Sequence, residues 1–302
     1  MPRFGSVVTA MVTPFDDRGG VDLEGAVTVA RHLVASGSDG LVLAGSTGEG
    51  SVLSDEERMD LVRVVSGSVD VPVIASTGTN DTAHSVTVTS GAAAAGAAGV
   101  LVVTPYYNRP SAAGLSAHFR AVAAATDLPV MLYDIPIRAG RRIGPALILE
   151  LAREVPNIVA VKDATGDLAA AANVVADSVE GFEVYCGDDS LTLPFMAVGA
   201  AGVVSVAAHW AAHLFGEMIS SYRAGAVERA TSINQQLTES YRFQSTDEFP
   251  NPVPAKAACR ALGLPVGQCR LPNPPSPDSL DQLAHAVVSG VGRRHPTHQS
   301  VA

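Results

Sequence analysis

The sequence predicts an α/β protein of the (β/α)8 TIM-barrel class with a C-terminal helical extension. Three observations carry this. Short β-branched runs alternate with alanine-rich amphipathic stretches, the strand runs are nearly all apolar rather than alternating, and eight such units follow one another before the strand pattern stops. Unbroken apolar runs suit parallel strands covered by helices, and eight βα units in succession favour a closed barrel over an open doubly wound sheet, the competing architecture.

Taken in order, the strand runs are Ser6 to Val12, Gly40 to Ala44, Val71 to Ser76, Gly99 to Val103, Pro129 to Tyr133, Ile158 to Lys162, Phe182 to Cys186 and Gly202 to Val206. Helical patterns lie between them, among others Leu23 to Ser36, Asp55 to Ser66, Asp81 to Ala95, Ala113 to Ala125 and Pro145 to Glu154. Ser54 with Glu57 three residues on has capping-box spacing, and Pro145 stands where a first helical turn tolerates proline. Beyond Val206 only helices are predicted, over His209 to Arg223, Ala226 to Phe243, Val253 to Leu262 and Pro277 to Ser289, with proline-rich breaks at Phe249 to Pro254 and Leu271 to Pro277. The pattern divides the chain into a barrel over 1–225 that carries the active site, a helical domain over 226–290 and a tail over 291–302 expected to be disordered.

The chain has 302 residues, 47% of them apolar and 17% charged, enough to bury a large core. Its net charge of −10 argues against a nucleic-acid partner, since phosphate binding needs clustered lysine and arginine. Only the tail around Arg293, Arg294 and His295 is locally basic. Cys186, Cys259 and Cys269 are an odd, sparse set without CxxC spacing, which suits a reducing compartment better than a disulfide framework. Residues Met1 to Gly5 lack a signal peptide's apolar stretch, and no run of about 18 apolar residues could span a bilayer. The expectation is a soluble cytoplasmic protein.

Barrels of this class place their chemistry at the carboxyl ends of the strands. The sixth strand closes on Lys162. Desolvation at an apolar strand end disfavours an ammonium, the condition under which an amine attacks a ketone; a snorkelling or ion-paired lysine at the rim is the competing reading. The second strand runs into Gly45-Ser46-Thr47-Gly48-Glu49-Gly50, whose turning backbone and two hydroxyls could surround a carboxylate. A phosphate cradle is disfavoured there because the Lys-[Ser/Thr] pair is missing. At the end of the fifth strand, Tyr133 could shuttle a proton and Arg138 could fork onto a carboxylate, unless they are a buried tyrosine and a surface arginine. Tyr106-Tyr107-Asn108-Arg109 after the fourth strand also suits packing between subunits. Cys186-Gly187-Asp188-Asp189 reads as a tight turn in which Asp189 or Ser190 caps the next helix. His209 and His213 are spaced i, i+4 but lack a third ligand, and no hydrolase elbow occurs.

Together, Ala10-Met11-Val12-Thr13-Pro14-Phe15, Gly45-Ser46-Thr47-Gly48-Glu49, Val103-Thr104-Pro105-Tyr106-Tyr107-Asn108-Arg109-Pro110, Tyr133-Asp134-Ile135-Pro136, Val161-Lys162-Asp163-Ala164-Thr165-Gly166-Asp167, Gly187-Asp188-Asp189 and Asn251-Pro252-Val253-Pro254-Ala255-Lys256 resemble the 4-hydroxy-tetrahydrodipicolinate synthase (dihydrodipicolinate synthase) family. That family lies within the pyruvate-aldolase superfamily that includes N-acetylneuraminate lyase. The resemblance runs from Gly5 to about Asn273, and its strength lies in the order and spacing of seven pieces. It implies that Lys162 is a Schiff-base lysine for pyruvate and that Ser46 and Thr47 hold the pyruvate carboxylate. It further implies a proton relay of Ser46, Tyr133 and Tyr107, the last supplied by the neighbouring subunit of a tight dimer within a homotetramer. Arg138 would grip the carboxylate of L-aspartate 4-semialdehyde, and Gly187 and Val204 would line the pocket through their backbones. No metal or organic cofactor is implied. Another 2-oxo-acid aldolase or lyase on the same scaffold, or a non-catalytic binding protein, are the alternatives.

Three departures from the family pattern stand out. Ser46 replaces the synthases' usual threonine, as in many sialic-acid lyases. Asp134 replaces the more common asparagine. In lysine-inhibited members a polar interface pocket aligns with Gly50, Ser51, Asp55, Arg58, Asn80, His84 and Tyr106; a carboxylate expected at position 84 is His84, and Arg58 adds positive charge. The resemblance therefore implies weak or absent inhibition by L-lysine.

Overall fold

A computed structural model describes residues 2–291. The expected tail lies outside the described residues except for Val291, which ends the last helix. Eight parallel strands close into a barrel in the order of the chain: β1 (Val7–Ala10), β2 (Gly40–Leu43), β3 (Val73–Ser76), β4 (Gly99–Val103), β5 (Val130–Asp134), β6 (Ile158–Asp163), β7 (Glu183–Cys186) and β8 (Gly202–Ser205). Every predicted strand is present: β4 has the predicted bounds, β6 runs one residue further, and the others are a residue or two shorter or shifted at their ends, where ladder pairing gives way to loop.

The helices are α1 (Leu23–Ala35), α2 (Asp55–Ser66), α3 (Thr82–Ala92), α4 (Ala112–Ala123), α5 (Pro136–Ala139), α6 (Pro145–Glu154), α7 (Leu168–Asp177), α8 (Thr192–Ala197), α9 (Ala208–Arg223), α10 (Val227–Gln236), α11 (Thr238–Phe243), α12 (Val253–Ala261) and α13 (Asp278–Val291). Most of the ring starts on a side-chain cap: Asp22, Asp81, Ser111 and Asp167 each accept from an amide of the first turn. Ser54 and Glu57 form the predicted capping box, and Pro145 opens α6. Such caps satisfy amides that have no intrahelical partner, at about 1 kcal/mol each.

The stretch expected as one helix over Ala226 to Phe243 breaks at Leu237, whose N–H tightens onto the carbonyls of Ile233 and Gln235. The turn after β7 also departs from expectation. Asp188, not Asp189, caps it by accepting from the Ser190 amide at 3.0 Å. Asp189 is fully buried instead and accepts from the Val206 and Ala207 amides at 3.0 and 2.9 Å, stapling the seventh loop to the eighth. His209 spends both ring nitrogens on backbone, donating from Nδ1 to the Val206 carbonyl and accepting from the Val12 amide at Nε2. Burial pulls it down to about 4, so it packs neutral.

Successive strand residues face opposite sides. Val8, Val42, Ile74, Leu101, Met131, Ala160, Tyr185 and Val204 fill the barrel, while Leu41, Leu43, Val100, Leu132 and Val161 face the helices in a second, larger apolar cluster. Phe4 plugs the amino-terminal end, its amide donating to the Tyr185 hydroxyl. Full burial of each such side chain contributes about 1.5–3 kcal/mol. The same alternation carries Tyr133 and Lys162 inward at the other end and turns Asp134 and Asp163 outward.

Asp134 shows the cost of the outward position. It is 1% exposed, accepts from the Ile143 and Gly144 amides at 3.1 and 3.4 Å, and lies 4.0 Å from Arg142 Nε. Burial, with Asp163 alongside, pushes it up to about 6 despite those amides and Arg142. A folded value raised above the unfolded one favours the protonated form. Its stabilising share is therefore complete below about 4 and is lost as pH rises through about 6. Asp134→Asn keeps the acceptor without the charge, so it should stabilise by about 1–3 kcal/mol at pH 8. The gain should shrink steadily from pH 7 to pH 5 in denaturant melts; a gain independent of pH would contradict this origin.

Candidate active site

The loop after β2 is shaped by close backbone approach. A Cβ on Gly48 would stand 2.9 Å from the Ala44 amide nitrogen, and one on Gly50 1.9 Å from the Ala44 carbonyl oxygen, so neither position admits a side chain. Ala44 and Glu49 both take left-handed φ of 54°, an uncommon state for residues other than glycine. What holds them there comes from elsewhere in the chain. Thr13 Oγ1 donates to the Gly48 carbonyl at 2.6 Å. Lys256, fully buried, sets its ammonium 2.8 Å from Glu49 Oε1, and the Arg270 amide donates to Glu49 Oε2 at 2.9 Å. Asn251 Nδ2 donates to Thr47 Oγ1 at 2.9 Å. The loop therefore presents Ser46 exposed and Thr47 buried on a backbone fixed from below and behind.

Opposite, Tyr133 and Lys162 are register partners on β5 and β6. The Lys162 ammonium group lies 4.3 Å from the centroid of the Tyr133 ring, with the two residues 6% and 5% exposed. Gly187 follows β7 against the lysine stem, where an added Cβ would come within 3.1 Å of Lys162 Cε. Val204 packs inside the barrel on β8. Arg138 stands on the single turn of α5 and donates to the Asn251 carbonyl at 3.3 Å.

A cavity of about 470 Å³ opens over this end of the barrel. Ser46, Tyr133 and Arg138 line it, with Asn251 in its wall and Tyr106 at its side. Lys162, Gly187 and Val204 lie in the strand ends around Tyr133, and Thr47 is reached through Asn251. Tyr107 is not brought to the cavity by its own chain: it projects 89% exposed at a φ of 71°. Gly50, Ser51 and Arg58 line the same cavity, whereas His84 bonds Asp55 at 2.9 Å. Arg58 is buried with its guanidinium on the Ser76 and Gly50 carbonyls at 2.6 and 2.8 Å. Asn251 and Lys256 belong to the last motif of the family resemblance, which assigns neither a function, and Arg270 lies in none of the motifs. They lie more than 200 residues from the loop they hold, and no local spacing signals them.

A parallel barrel that delivers a buried amine beside a phenol, under a loop rich in hydroxyls and backbone amides, belongs to the class of lysine-dependent barrel enzymes that act on carbonyl compounds. Residues 3–289 match the dihydrodipicolinate synthetase family, and the chain belongs to that family. The 4-hydroxy-tetrahydrodipicolinate synthase of Bacillus subtilis is 46% identical over 274 residues, covering 89% of this chain and 93% of its own. Among solved structures, dihydrodipicolinate synthase from Bacillus anthracis superposes with a TM-score of 0.93 at 40% identity, covering 97% of this chain and 100% of that one. The enzyme from Cyanidioschyzon merolae, solved with lysine bound, gives 0.93 at 40% identity over 97% and 99% of the two chains.

Proposed function

We propose that the chain is a Schiff-base-forming synthase that condenses pyruvate with L-aspartate 4-semialdehyde to 4-hydroxy-tetrahydrodipicolinate, the first committed step of diaminopimelate and lysine formation. The observation that carries this is the buried Lys162 amine held beside Tyr133, a residue that lines the cavity, in a chain of this family.

The chemistry follows from the placement. The Lys162 amine adds to C2 of pyruvate, and water leaves as the iminium forms. The iminium withdraws electrons, the methyl group gives up a proton, and the resulting enamine carbon attacks the aldehyde. Tyr133, which lines the same cavity as Ser46, passes protons between these intermediates and Ser46. The amine of the second substrate then displaces Lys162 as the ring closes, returning the free lysine. Ser46 and Thr47 hold the pyruvate carboxylate; Gly187 and Val204 bound the pocket. The exposed Tyr107 reaches the relay of a neighbouring copy in a tight dimer, two of which form a tetramer. The lysine itself is the electron sink, so the scheme needs no metal or organic cofactor. The composition suits work in the cytoplasm.

Arg138 binds the carboxylate of the second substrate. Arg138→Ala should leave pyruvate trapping intact and lower kcat/KM for the semialdehyde by roughly a hundredfold, the scale of lost charge-assisted hydrogen bonds. Loss of pyruvate trapping with the semialdehyde unaffected would reverse the assignment. Direct turnover of pyruvate with aspartate semialdehyde, run beside N-acetylneuraminate and 4-hydroxy-2-oxoglutarate, tests the reaction itself. Only the first pair should react efficiently; preferred cleavage of either other compound would assign a lyase instead.

L-lysine should inhibit weakly. Arg58 already satisfies the Gly50 and Ser76 carbonyls with a fixed positive charge, and the Asp55 carboxylate is committed to His84. A second cation there would meet repulsion and few free acceptors. Half-maximal inhibition should lie above about 1 mM in initial-rate assays; inhibition well below that would contradict it.

A further inference from the structure

We propose that Asn251 is a positioning residue that makes the Thr47 hydroxyl a dedicated hydrogen-bond donor to the substrate carboxylate, while its main-chain oxygen aims Arg138. This rests on the reading of Ser46 and Thr47 as the pyruvate-carboxylate loop.

A threonine hydroxyl has one proton to give and two lone pairs to receive with, and its rotor turns to suit its neighbours. Here Thr47 Oγ1 accepts from Asn251 Nδ2 at 2.9 Å. With that oxygen serving as acceptor, the single O–H turns away from the amide. Among the described residues it donates to no other group, although Thr47 is only 4% exposed. An anion entering beside Ser46 is the acceptor that completes it. The amide has no competing duty, since Oδ1 of Asn251 is buried without a partner among the described residues. Asn251 is itself 9% exposed and forms part of the cavity wall between Pro250 and Pro252.

The same residue touches the other half of the site. Its carbonyl oxygen accepts from Arg138 Nη2 at 3.3 Å, drawing the guanidinium over the cavity from the single turn of α5. One residue of the segment after the barrel thus sets both proposed carboxylate binders, one through its side chain and one through its backbone. Substitution of the side chain separates the two.

Asn251→Asp is the sharp test. A carboxylate only accepts, so it would capture the Thr47 proton, turn the hydroxyl around and set a negative charge beside an anionic substrate. Pyruvate KM should rise at least roughly tenfold, with kcat and the semialdehyde KM within about threefold of wild type. Asn251→Ala, which frees the hydroxyl without reversing it, should give a smaller rise of about threefold in pyruvate KM. In a Thr47→Val background, Asn251→Ala should add nothing further.

An unchanged pyruvate KM in Asn251→Asp would mean that the amide accepts from Thr47, and would overturn the proposal. So would equal rises in both KM values, or a fall in kcat that follows melting temperature in both variants, as a merely structural residue would give. Should Asn251→Asp not fold, the alanine variant and its loss of effect in the Thr47→Val background decide alone. Pyruvate-dependent borohydride trapping of the wild type keeps the two readings apart. If no adduct forms, the proposed reaction fails; if it forms but its pyruvate dependence is the same in Asn251→Asp, only the role of Asn251 fails.

Discussion

Lys162→Ala is expected to lower turnover of pyruvate with aspartate semialdehyde by roughly 10⁴-fold or more, because the covalent route disappears with the amine rather than slowing. The fold should survive. Among the described residues the Lys162 side chain makes no hydrogen bond that its loss would orphan, and Val161 and Ala160 keep their places in the two apolar clusters. Lys162→Arg should be equally inactive, since a guanidinium keeps its charge and cannot attack a carbonyl. A melting temperature close to wild type, together with lost activity in both variants, separates chemistry from unfolding. Activity above about 1% of wild type in either variant would contradict a covalent role for this residue.

The largest expected loss of stability lies at the other lysine. The chain has two lysines, Lys162 and Lys256. Lys256 is completely buried, 2.8 Å from Glu49 Oε1 and 2.8 Å from the Gln268 carbonyl, with its ammonium 4.0 Å from the centroid of the Phe15 ring. Desolvation lowers its pKa, opposed chiefly by Glu49. Glu49→Gln removes the counter-charge and leaves an ammonium in an apolar setting, at a cost of about 3–5 kcal/mol. Lowered affinity for a proton in the folded state means that stability rises with pH, so the deficit should narrow as pH rises toward the ordinary lysine range and Lys256 sheds its charge. Replacing both partners, as in Glu49→Gln with Lys256→Met, should recover more than half of the loss, because a matched apolar pair carries no desolvation penalty. Denaturant melts of the single and double variants measure this; a single variant within about 1 kcal/mol of wild type would contradict it.

The barrel was legible because its determinants are local. Apolar runs such as Gly99 to Val103, and caps such as Ser54 with Glu57, are written within a few residues of where they act. The strand-end residues Lys162 and Tyr133 were legible for the same reason: in this fold, position at a strand's end is position at the mouth. Asp189 was misplaced because its acceptors are spent on amides 17 and 18 residues on, a choice made by packing and invisible to turn chemistry. The clamp on the Thr47–Glu49 loop was not legible at all. Asn251, Lys256 and Arg270 reach it only because the helices after the barrel fold back over α9, and no spacing rule connects residue 49 with residue 256. Tyr107 stands apart: it is exposed in a left-handed conformation, and the proposed relay reaches it only through another copy.

Incubation with pyruvate and sodium borohydride, followed by peptide mass mapping, reads the covalent role of Lys162 itself. With two lysines in the chain, and Lys256 sealed against Glu49, one reduced pyruvate per chain is expected, carried by Lys162 and absent from Lys162→Ala. A full-length, folded protein that takes up no label, or takes it up at Lys256 or the amino terminus while still turning over substrate, would contradict it.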